Sequence, residues 1–192
     1  MVTLVLGPVR SGKSARGAVL AEAAEASGKR VIVALTAAVD PADDEMRARV
    51  ERHRRDRPPS WTIVETATQT PLPALLRDAP DDACVLVDAL GTWLAAHVLE
   101  LGDLHDAAEK LDAAGTELVD AVEAAVADII IVGEETGWGI VPAFPQGRLF
   151  RDALGRLTQR LAARATRVEL VVAGYAVDLR AIGTRVTEMP DA

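Results

Sequence analysis

The chain has 192 residues, of which 49% are hydrophobic and only 3% aromatic, and its formal net charge is −8. This length suits a single domain over residues 1–192 with a sizeable buried core, and the hydrophobic content excludes global disorder. The acidic balance and the scarcity of aromatic rings argue against a nucleic-acid partner, because generic binders of nucleic acid are basic or rich in stacking side chains.

Cysteine usage and hydropathy favour a cytoplasmic protein. The single cysteine, Cys84, cannot form an internal disulfide, and the apolar run around it predicts that it is buried. No apolar stretch approaches the roughly 18 residues that a membrane-spanning helix needs. The first residues also lack the basic start and long apolar region of a secretion signal. We therefore expect a cytoplasmic location and no membrane span.

The first predicted strand, residues 2–6, leads through a glycine-rich loop into a predicted helix at 13–27. The loop matches the pattern G-x-x-x-x-G-K-[ST], and its residues are Gly7, Pro8, Val9, Arg10, Ser11, Gly12, Lys13 and Ser14. Backbone N–H groups of such a loop turn toward phosphates, and the helix N-terminus adds positive potential. We expect Lys13 to hold the β- and γ-phosphates of a nucleotide and Ser14 to bind Mg²⁺. Only three of the 21 basic residues are lysines, which supports a specific role for this one.

The segment 40–58 begins with acidic residues and ends with basic ones, the order that a helix macrodipole favours, and a helix is predicted over 43–55. One interpretation is an exposed charged helix with a partly packed His53. The other is that His53 acts on a phosphate, because nearby positive charge favours the neutral, nucleophilic imidazole. In that case the surrounding arginines would hold the phosphates of an incoming nucleotide; they are Arg49, Arg52, Arg54 and Arg57. Composition alone favours the first interpretation.

An apolar strand predicted at 84–88 ends in Asp88, which is the form of a Walker-B element that supplies a carboxylate to Mg²⁺. The alternative is an aspartate that terminates the strand or caps the next helix. Glu134 and Glu135 follow another predicted strand, at 129–132, and form a rival acidic pair. Ligands of open α/β sheets collect at the carboxyl ends of the strands, so all three carboxylates could face one site. His97 and His105 lie in ordinary helical surroundings and are interpreted as structural or surface residues.

The remaining elements complete an alternation of strands and helices. Further strands are predicted at 31–35, 62–65 and 168–173, further helices at 104–127 and 147–165, loops at 56–60 and 66–73, and an edge strand or frayed tail at 184–192. Several strands are apolar at consecutive positions, which is typical of strands covered on both faces. With the phosphate-binding loop, this pattern predicts an α/β fold, a RecA-like P-loop NTPase built as a three-layer sandwich around a mainly parallel sheet.

Five segments, in order across nearly the whole chain, carry a family resemblance. They are GPVRSGKS at 7–14, DDEMRARVERHRRDRP at 43–58 followed by Trp61 and Glu65, VLVDALGTWL at 85–94, GWGIVP at 137–142 and GRLFRDALGRLTQRLA at 147–162. On these segments the chain resembles the bifunctional adenosylcobinamide kinase/adenosylcobinamide-phosphate guanylyltransferase family of cobalamin biosynthesis.

The resemblance implies two reactions at a Mg²⁺-dependent site. ATP or GTP first phosphorylates a hydroxyl of adenosylcobinamide, and GTP then transfers GMP to adenosylcobinamide phosphate through a guanylylated histidine. The position that matches this histidine is His53, and Lys13 would serve both reactions. The resemblance also implies nucleotide contacts from Arg49, Arg54 and Glu65, and Mg²⁺ held by Ser14 and Asp88.

The family resemblance further implies a homotrimer whose sites lie between subunits. Arg148, Arg151 or Arg156 could then act at an interface, although ordinary surface arginines would look the same in sequence. A 20 kDa domain is small for a corrinoid together with a nucleotide, so shared sites are expected.

Two positions depart from the family pattern. Glu134 stands where the family has asparagine in N-E-V-G-x-G-I-V-P, and Thr158 stands where it has asparagine in G-R-x-N-Q. Either change could alter the kinase or the transferase step. Two alternatives therefore stay open, a generic P-loop small-molecule kinase and a nucleotide-binding regulatory module that has lost one or both activities.

Overall fold

The computed structural model describes residues 1–37, 55, 57–101 and 105–186. The strands of this part are β1 (Val2–Gly7), β2 (Arg30–Leu35), β3 (Thr62–Glu65), β4 (Ala83–Asp88), β5 (Asp128–Glu134), β6 (Arg167–Val172) and β7 (Tyr175–Asp178). Its helices are α1 (Lys13–Ala26), α2 (Leu72–Asp78), α3 (Leu90–Glu100), α4 (Ala107–Ala124), α5 (Pro145–Arg164) and α6 (Leu179–Ile182).

The strands form one sheet in the order β3-β2-β4-β5-β1-β6-β7. The first six strands in chain order are parallel, and β7 pairs with β6 in the antiparallel sense. The glycine-rich loop follows the inner strand β1, and a single strand, β5, separates β1 from β4 with its terminal Asp88. The fold is the three-layer α/β sandwich around a mainly parallel sheet that the sequence predicts.

Helices cover both faces of the sheet, which explains why the strands are apolar at consecutive positions. On one face Val5, Leu86 and Ile130 pack with Ala21 of α1. On the other, alternate residues of the same strands pack against apolar side chains of α2, α3, α4 and α5, including Leu76, Leu94, Leu118 and Leu154. None of the described helices is long and apolar enough to cross a membrane.

The sequence locates six strands to within one or two residues but misses β7. A two-residue turn, Ala173–Gly174, joins β6 to β7, and both of its residues have positive φ angles, 51° and 82°. Such angles match the twist of a tight hairpin, but Ala-Gly is a weak sequence signal for one. One edge strand of the sheet is therefore formed by residues 175–178, and β3 is the other. Residues 184–186 form no strand, and residues 187–192 lie outside the described part.

The helix predictions are partly confirmed. Helices α1, α4 and α5 lie within three residues of the predicted bounds, whereas α2 begins inside the loop predicted at 66–73. Proline was the misleading signal, because Pro73 lies in the first turn of α2, where its missing N–H costs nothing. Helix α3 was not predicted as a separate element. The helix predicted at 43–55 lies outside the described residues except for Arg55.

Candidate nucleotide site

The loop between β1 and α1 requires glycine at two of its positions. A Cβ atom at Gly7 would lie 2.5 Å from both Ser11 Oγ and the carbonyl oxygen of Val171. Gly12 has a φ of 100°, in the left-handed region that L side chains rarely adopt. Arg10 also has a positive φ, 60°. The glycines of the sequence pattern are therefore required by the shape of the loop.

Backbone hydrogen bonds fasten the loop to both neighbouring strands. The Gly174 N–H, in the β6–β7 turn, donates to the Ser11 carbonyl at 2.9 Å, and the Glu135 N–H donates to the Gly7 carbonyl at 3.0 Å. Within the loop the Ser11 N–H donates to the Pro8 carbonyl at 3.3 Å. Ser11 is buried, whereas Val9 is largely exposed. The inner side of the loop is therefore bound to residues that follow β5 and β6, and its outer residues face solvent.

Lys13 and Ser14 form the first turn of α1, where the helix dipole favours negative charge. Both residues are half-buried. The Lys13 ammonium folds back over the loop, and its Nζ lies 3.4 Å from the Pro8 carbonyl oxygen. This is the arrangement expected of a lysine and a hydroxyl at a phosphate site.

Asp88 is at the end of β4, at the same edge of the sheet. Its Oδ2 lies 2.5 Å from Nη2 of Arg57, and the side chains of both residues are only 7% exposed. The next helix has Ala89 as its N-cap residue, so Asp88 does not occupy that capping position. Arg57 was among the arginines near His53 in sequence, but its pairing with Asp88 was not predicted.

Thr36, a buried threonine that no sequence motif marks as a site residue, holds the turn after Asp88. The hydroxyl of Thr36, which directly follows β2, accepts a hydrogen bond from the Ala89 N–H at 3.0 Å. The same oxygen lies 2.6 Å from Thr92 Oγ1. A threonine immediately after an apolar strand was the available signal. A threonine in this position places a polar side chain at the carboxyl ends of the parallel strands, which we call the ligand-facing edge of the sheet.

Glu134, at the end of β5, is turned toward the beginning of α3. Its Oε2 accepts the Gly91 N–H at 2.8 Å, and a Cβ atom at residue 91 would overlap this carboxylate. Burial raises the pKa of the Glu134 carboxyl, and Asp88 acts in the same direction, whereas the Gly91 N–H and Lys13 act in the opposite direction. Burial also raises the pKa of the Glu135 carboxyl. Glu134 thus lies within electrostatic reach of both Lys13 and Asp88.

Glu65 does not lie beside the phosphate-binding loop of its own chain. It ends β3, the outermost strand, which is four strand positions from β1 and therefore roughly 19 Å away. Its carboxylate accepts the Thr68 hydroxyl at 3.1 Å. Three other predicted site residues, Arg49, His53 and Arg54, lie outside the described residues.

His97, Arg148 and Arg151 contact near neighbours in their own chain. His97 packs against Trp93, with ring centroids 4.4 Å apart, and His105 is exposed. Arg148 donates to the carbonyls of Pro142 and Ala143, and Arg151 donates to those of Gly137 and Gly139. Those two arginines therefore shape the segment 137–144 of their own chain. Arg156 is exposed and Thr158 is buried in α5.

Mg²⁺ fits the donors at this edge of the sheet. The Ser14 hydroxyl and the Asp88 carboxylate are hard oxygen ligands, and Mg²⁺ commonly takes one or two protein oxygens together with phosphate oxygens and water. Among the described residues no group of three or more His, Cys, Asp or Glu side chains could hold a metal ion. The donor set therefore suits a Mg²⁺–nucleotide complex better than a metal held by the protein alone.

Comparison with known proteins gives a consistent family match. Residues 3–179 match the CobU family model, described as cobinamide kinase/cobinamide phosphate guanyltransferase. The Salmonella typhimurium "bifunctional adenosylcobalamin biosynthesis protein CobU" is 35% identical over 189 residues, which cover 94% of this chain and all of that protein. The Pseudomonas aeruginosa protein named CobP is 35% identical over 181 residues, covering 94% of this chain and 98% of that protein.

Among solved structures, a KaiC-like protein from Pyrococcus horikoshii aligns with 88% of this chain and 71% of its own. The TM-score is 0.41 and the sequence identity is 16%.

Proposed function

The chain belongs to the CobU family of cobinamide kinases and cobinamide phosphate guanyltransferases, and on that premise we propose that it carries out both reactions. It phosphorylates adenosylcobinamide with ATP or GTP and then transfers GMP from GTP, giving adenosylcobinamide-GDP in cobalamin biosynthesis. The observation that carries this proposal is the P-loop site of Lys13, Ser14 and Asp88 in a chain that matches the family over residues 3–179. The reactions take place in the cytoplasm.

In the kinase reaction the loop residues 7–14 bind the phosphates of the donor nucleotide. Their backbone N–H groups and the Lys13 ammonium neutralise charge that develops between the β- and γ-phosphates. Ser14 and Asp88 would hold Mg²⁺, which supplies further charge neutralisation when bound. The oxygen of the substrate hydroxyl forms the new bond to the γ-phosphorus, its proton is released to solvent, and the nucleoside diphosphate leaves.

In the second reaction His53 is the proposed nucleophile. Its imidazole nitrogen forms a bond to the α-phosphorus of GTP, and pyrophosphate leaves; the phosphate of adenosylcobinamide phosphate then displaces the histidine and takes the GMP. Arg49 and Arg54 bind phosphates, and Glu65 contacts the nucleotide. Supporting this role, Arg57 of the same H-R-x-x-R-P frame contacts Asp88 at the P-loop edge.

The active form is proposed to be a homotrimer whose neighbouring subunits complete each site. Two observations support this arrangement. Glu65 is roughly 19 Å from the phosphate-binding loop within one chain. Trp138, Ile140 and Phe144 are exposed apolar side chains in a segment that Arg148 and Arg151 hold in place.

Product analysis tests the proposed function. The protein is incubated with adenosylcobinamide, Mg²⁺ and ATP or GTP, and the corrinoids are analysed by mass spectrometry. With either ATP or GTP as donor, we expect a product that is heavier than adenosylcobinamide by one phosphate. When GTP is present, we expect a second product that is heavier by a further GMP. The phosphate product alone would favour a generic P-loop kinase. Nucleotide binding with neither product would favour a regulatory module.

A further inference from the structure

A buried arginine connects the Asp88 carboxylate to the helix that begins at the phosphate-binding loop. The Arg57 guanidinium pairs with Asp88 and lies over the ring of Trp61, 5.8 Å from its centroid. The indole N–H of Trp61 donates to Glu25 Oε2 at 3.0 Å, and Glu25 belongs to α1. Four side chains thus form a continuous set of contacts from the end of β4 to α1.

A second arginine–aspartate pair, at the other end of β4, provides a comparison. Arg30 begins β2 and pairs with Asp82, which directly precedes β4, so this pair lies at the amino ends of the strands. Its side chains are 66% and 55% exposed. Arg57 and Asp88 are each only 7% exposed. Removing two charges from water is costly, and a buried pair is weak support for stability by itself. The burial of the pair at the ligand-facing edge therefore points to a role in the site rather than in folding alone.

We infer that Arg57 is a positioning residue for the P-loop site, whose guanidinium, stacked on Trp61, fixes the orientation of the Asp88 carboxylate. This inference rests on the proposed function, because it assigns Asp88 to the Mg²⁺–nucleotide complex. A planar guanidinium that is both stacked and ion-paired has little rotational freedom, so its partner carboxylate is held in one direction. Arg57 also follows His53 by four residues in the chain. Its contact with Asp88 therefore connects the segment of the proposed nucleophile to the same carboxylate.

Kinetic analysis of Arg57→Ala tests the inference for the first reaction. We expect kcat for adenosylcobinamide phosphorylation to fall at least tenfold, while KM for the nucleotide changes less than threefold, because the loop that binds the phosphates is intact. Arg57→Lys keeps the charge without the planar fork and should recover only part of the lost rate. Arg30→Ala, the matched control at the exposed pair, should keep kcat within twofold of the wild type.

Tryptophan fluorescence gives a readout that is independent of turnover. In a Trp93→Phe/Trp138→Phe background, Trp61 is the only tryptophan. Asp88→Asn should shift its emission, because the aspartate positions the guanidinium that lies over the ring. In the Arg57→Ala variant, adding Asp88→Asn should leave the emission maximum where Arg57→Ala alone has it. A simple structural effect of Asp88→Asn would persist without the arginine.

The outcomes separate this inference from the proposed function. A folded Arg57→Ala variant with kcat within twofold of the wild type would overturn the inference, and so would an Asp88→Asn shift of Trp61 emission that survives removal of Arg57. If Arg57→Ala does not fold, Arg57→Lys with wild-type kcat would overturn it equally. A wild-type protein without either product would instead contradict the proposed function, while the Trp61 experiment would still test the contact between Arg57 and Asp88.

Discussion

At the scale of single residues, the central feature is a lysine at the N-terminus of α1 in a chain whose basic residues are mostly arginines. Lys13 lies over the loop that the proposal assigns to the phosphates in both reactions. We predict that Lys13→Ala slows phosphorylation and guanylyl transfer by about 100-fold or more each, the usual effect of removing a preorganised charge from a transition state. Single-turnover rates measure both steps. Lys110→Ala, on the exposed side of α4, is the control, and a kinase rate within tenfold of the wild type in Lys13→Ala would contradict a shared loop.

Gly91 and Glu134 form a second residue-scale pair. A Cβ atom at residue 91 would overlap the Glu134 carboxylate, which would have to move and so lose its hydrogen bond from the Gly91 N–H. We therefore predict that Gly91→Ala lowers the free energy of unfolding by about 1 kcal/mol. Urea denaturation measures the change. Adding Glu134→Ala should recover part of the loss, because it removes the overlapping group.

The control for that experiment is Gly155→Ala. This glycine lies within α5, and outside the helix's own backbone no atom lies within 4 Å of an added Cβ. The substitution should therefore leave stability unchanged or raise it by up to about 1 kcal/mol. A Gly91→Ala variant as stable as the Gly155→Ala variant would contradict the close contact with Glu134.

At the scale of elements, a buried carboxylate attaches the phosphate-site helix to the sheet. Glu169 of β6 is 1% exposed and accepts two hydrogen bonds from Arg16 of α1, at 2.7 and 2.8 Å, and Arg167 pairs with it at 2.7 Å. The hydrogen bonds from Arg16 hold the pKa of Glu169 below its ordinary range, against the opposite effect of burial. Because Arg16 lies three residues after Lys13, this pair helps to fix the start of α1.

The lowered pKa of Glu169 predicts how stability depends on pH. A carboxyl whose folded pKa is below its unfolded value of about 4.3 contributes stability above that pH, and the contribution is lost as the pH falls through the folded pKa. At pH 7, Glu169→Gln should therefore destabilise the protein by roughly 1–3 kcal/mol, a range reduced because Arg16 reaches solvent. Urea unfolding should show this difference shrinking below about pH 4.

Glu117→Gln serves as the matched control, since Glu117 is exposed and pairs with Arg77 on the surface. It should change the free energy of unfolding by less than about 0.5 kcal/mol at either pH. A difference between wild type and Glu169→Gln that stays constant from pH 7 to pH 3.5 would contradict the pKa assignment.

Local sequence signals predict most of the helices and strands, and the elements that they miss depend on tertiary context. The apolar runs of β4 and β5 are strong because both faces of the sheet are covered. Strand β7 is short and exposed, and its burial pattern carries no apolar alternation. For the site, the pattern G-x-x-x-x-G-K-[ST] was sufficient to predict the loop after β1 and the position of Lys13 at the start of α1. The pairing of Arg57 with Asp88 and the role of Thr36 depend on contacts between residues 31 and 53 positions apart, which spacing alone cannot predict.

At the scale of the whole molecule, the proposed trimer predicts a specific effect of the apolar segment 137–144. Ile140 is 97% exposed, so Ile140→Asp removes apolar surface that a neighbouring subunit would cover, without disturbing the core. Light scattering should give a molar mass three times that of one chain for the wild type and a lower mass for Ile140→Asp. Guanylyl transfer should fall with the mass, because each site needs a neighbour.

Val126→Asp is the control for the assembly experiment. Val126 is another exposed apolar residue, 66% exposed, between α4 and β5 and away from that segment. This variant should keep the wild-type mass. A wild type that is fully active as a monomer at micromolar concentration would contradict the trimer.

The most direct test of the two-reaction account is to label the protein with GTP that carries ³²P at the α-phosphate. In the presence of Mg²⁺ we predict a protein-bound label that is labile in acid and stable in base, as expected for a phosphoramidate, and located on the peptide that contains His53. His53→Ala should carry no label and yet phosphorylate adenosylcobinamide at close to the wild-type rate. An unlabelled wild type that still forms adenosylcobinamide-GDP, or a label that persists in His53→Ala, would contradict the account.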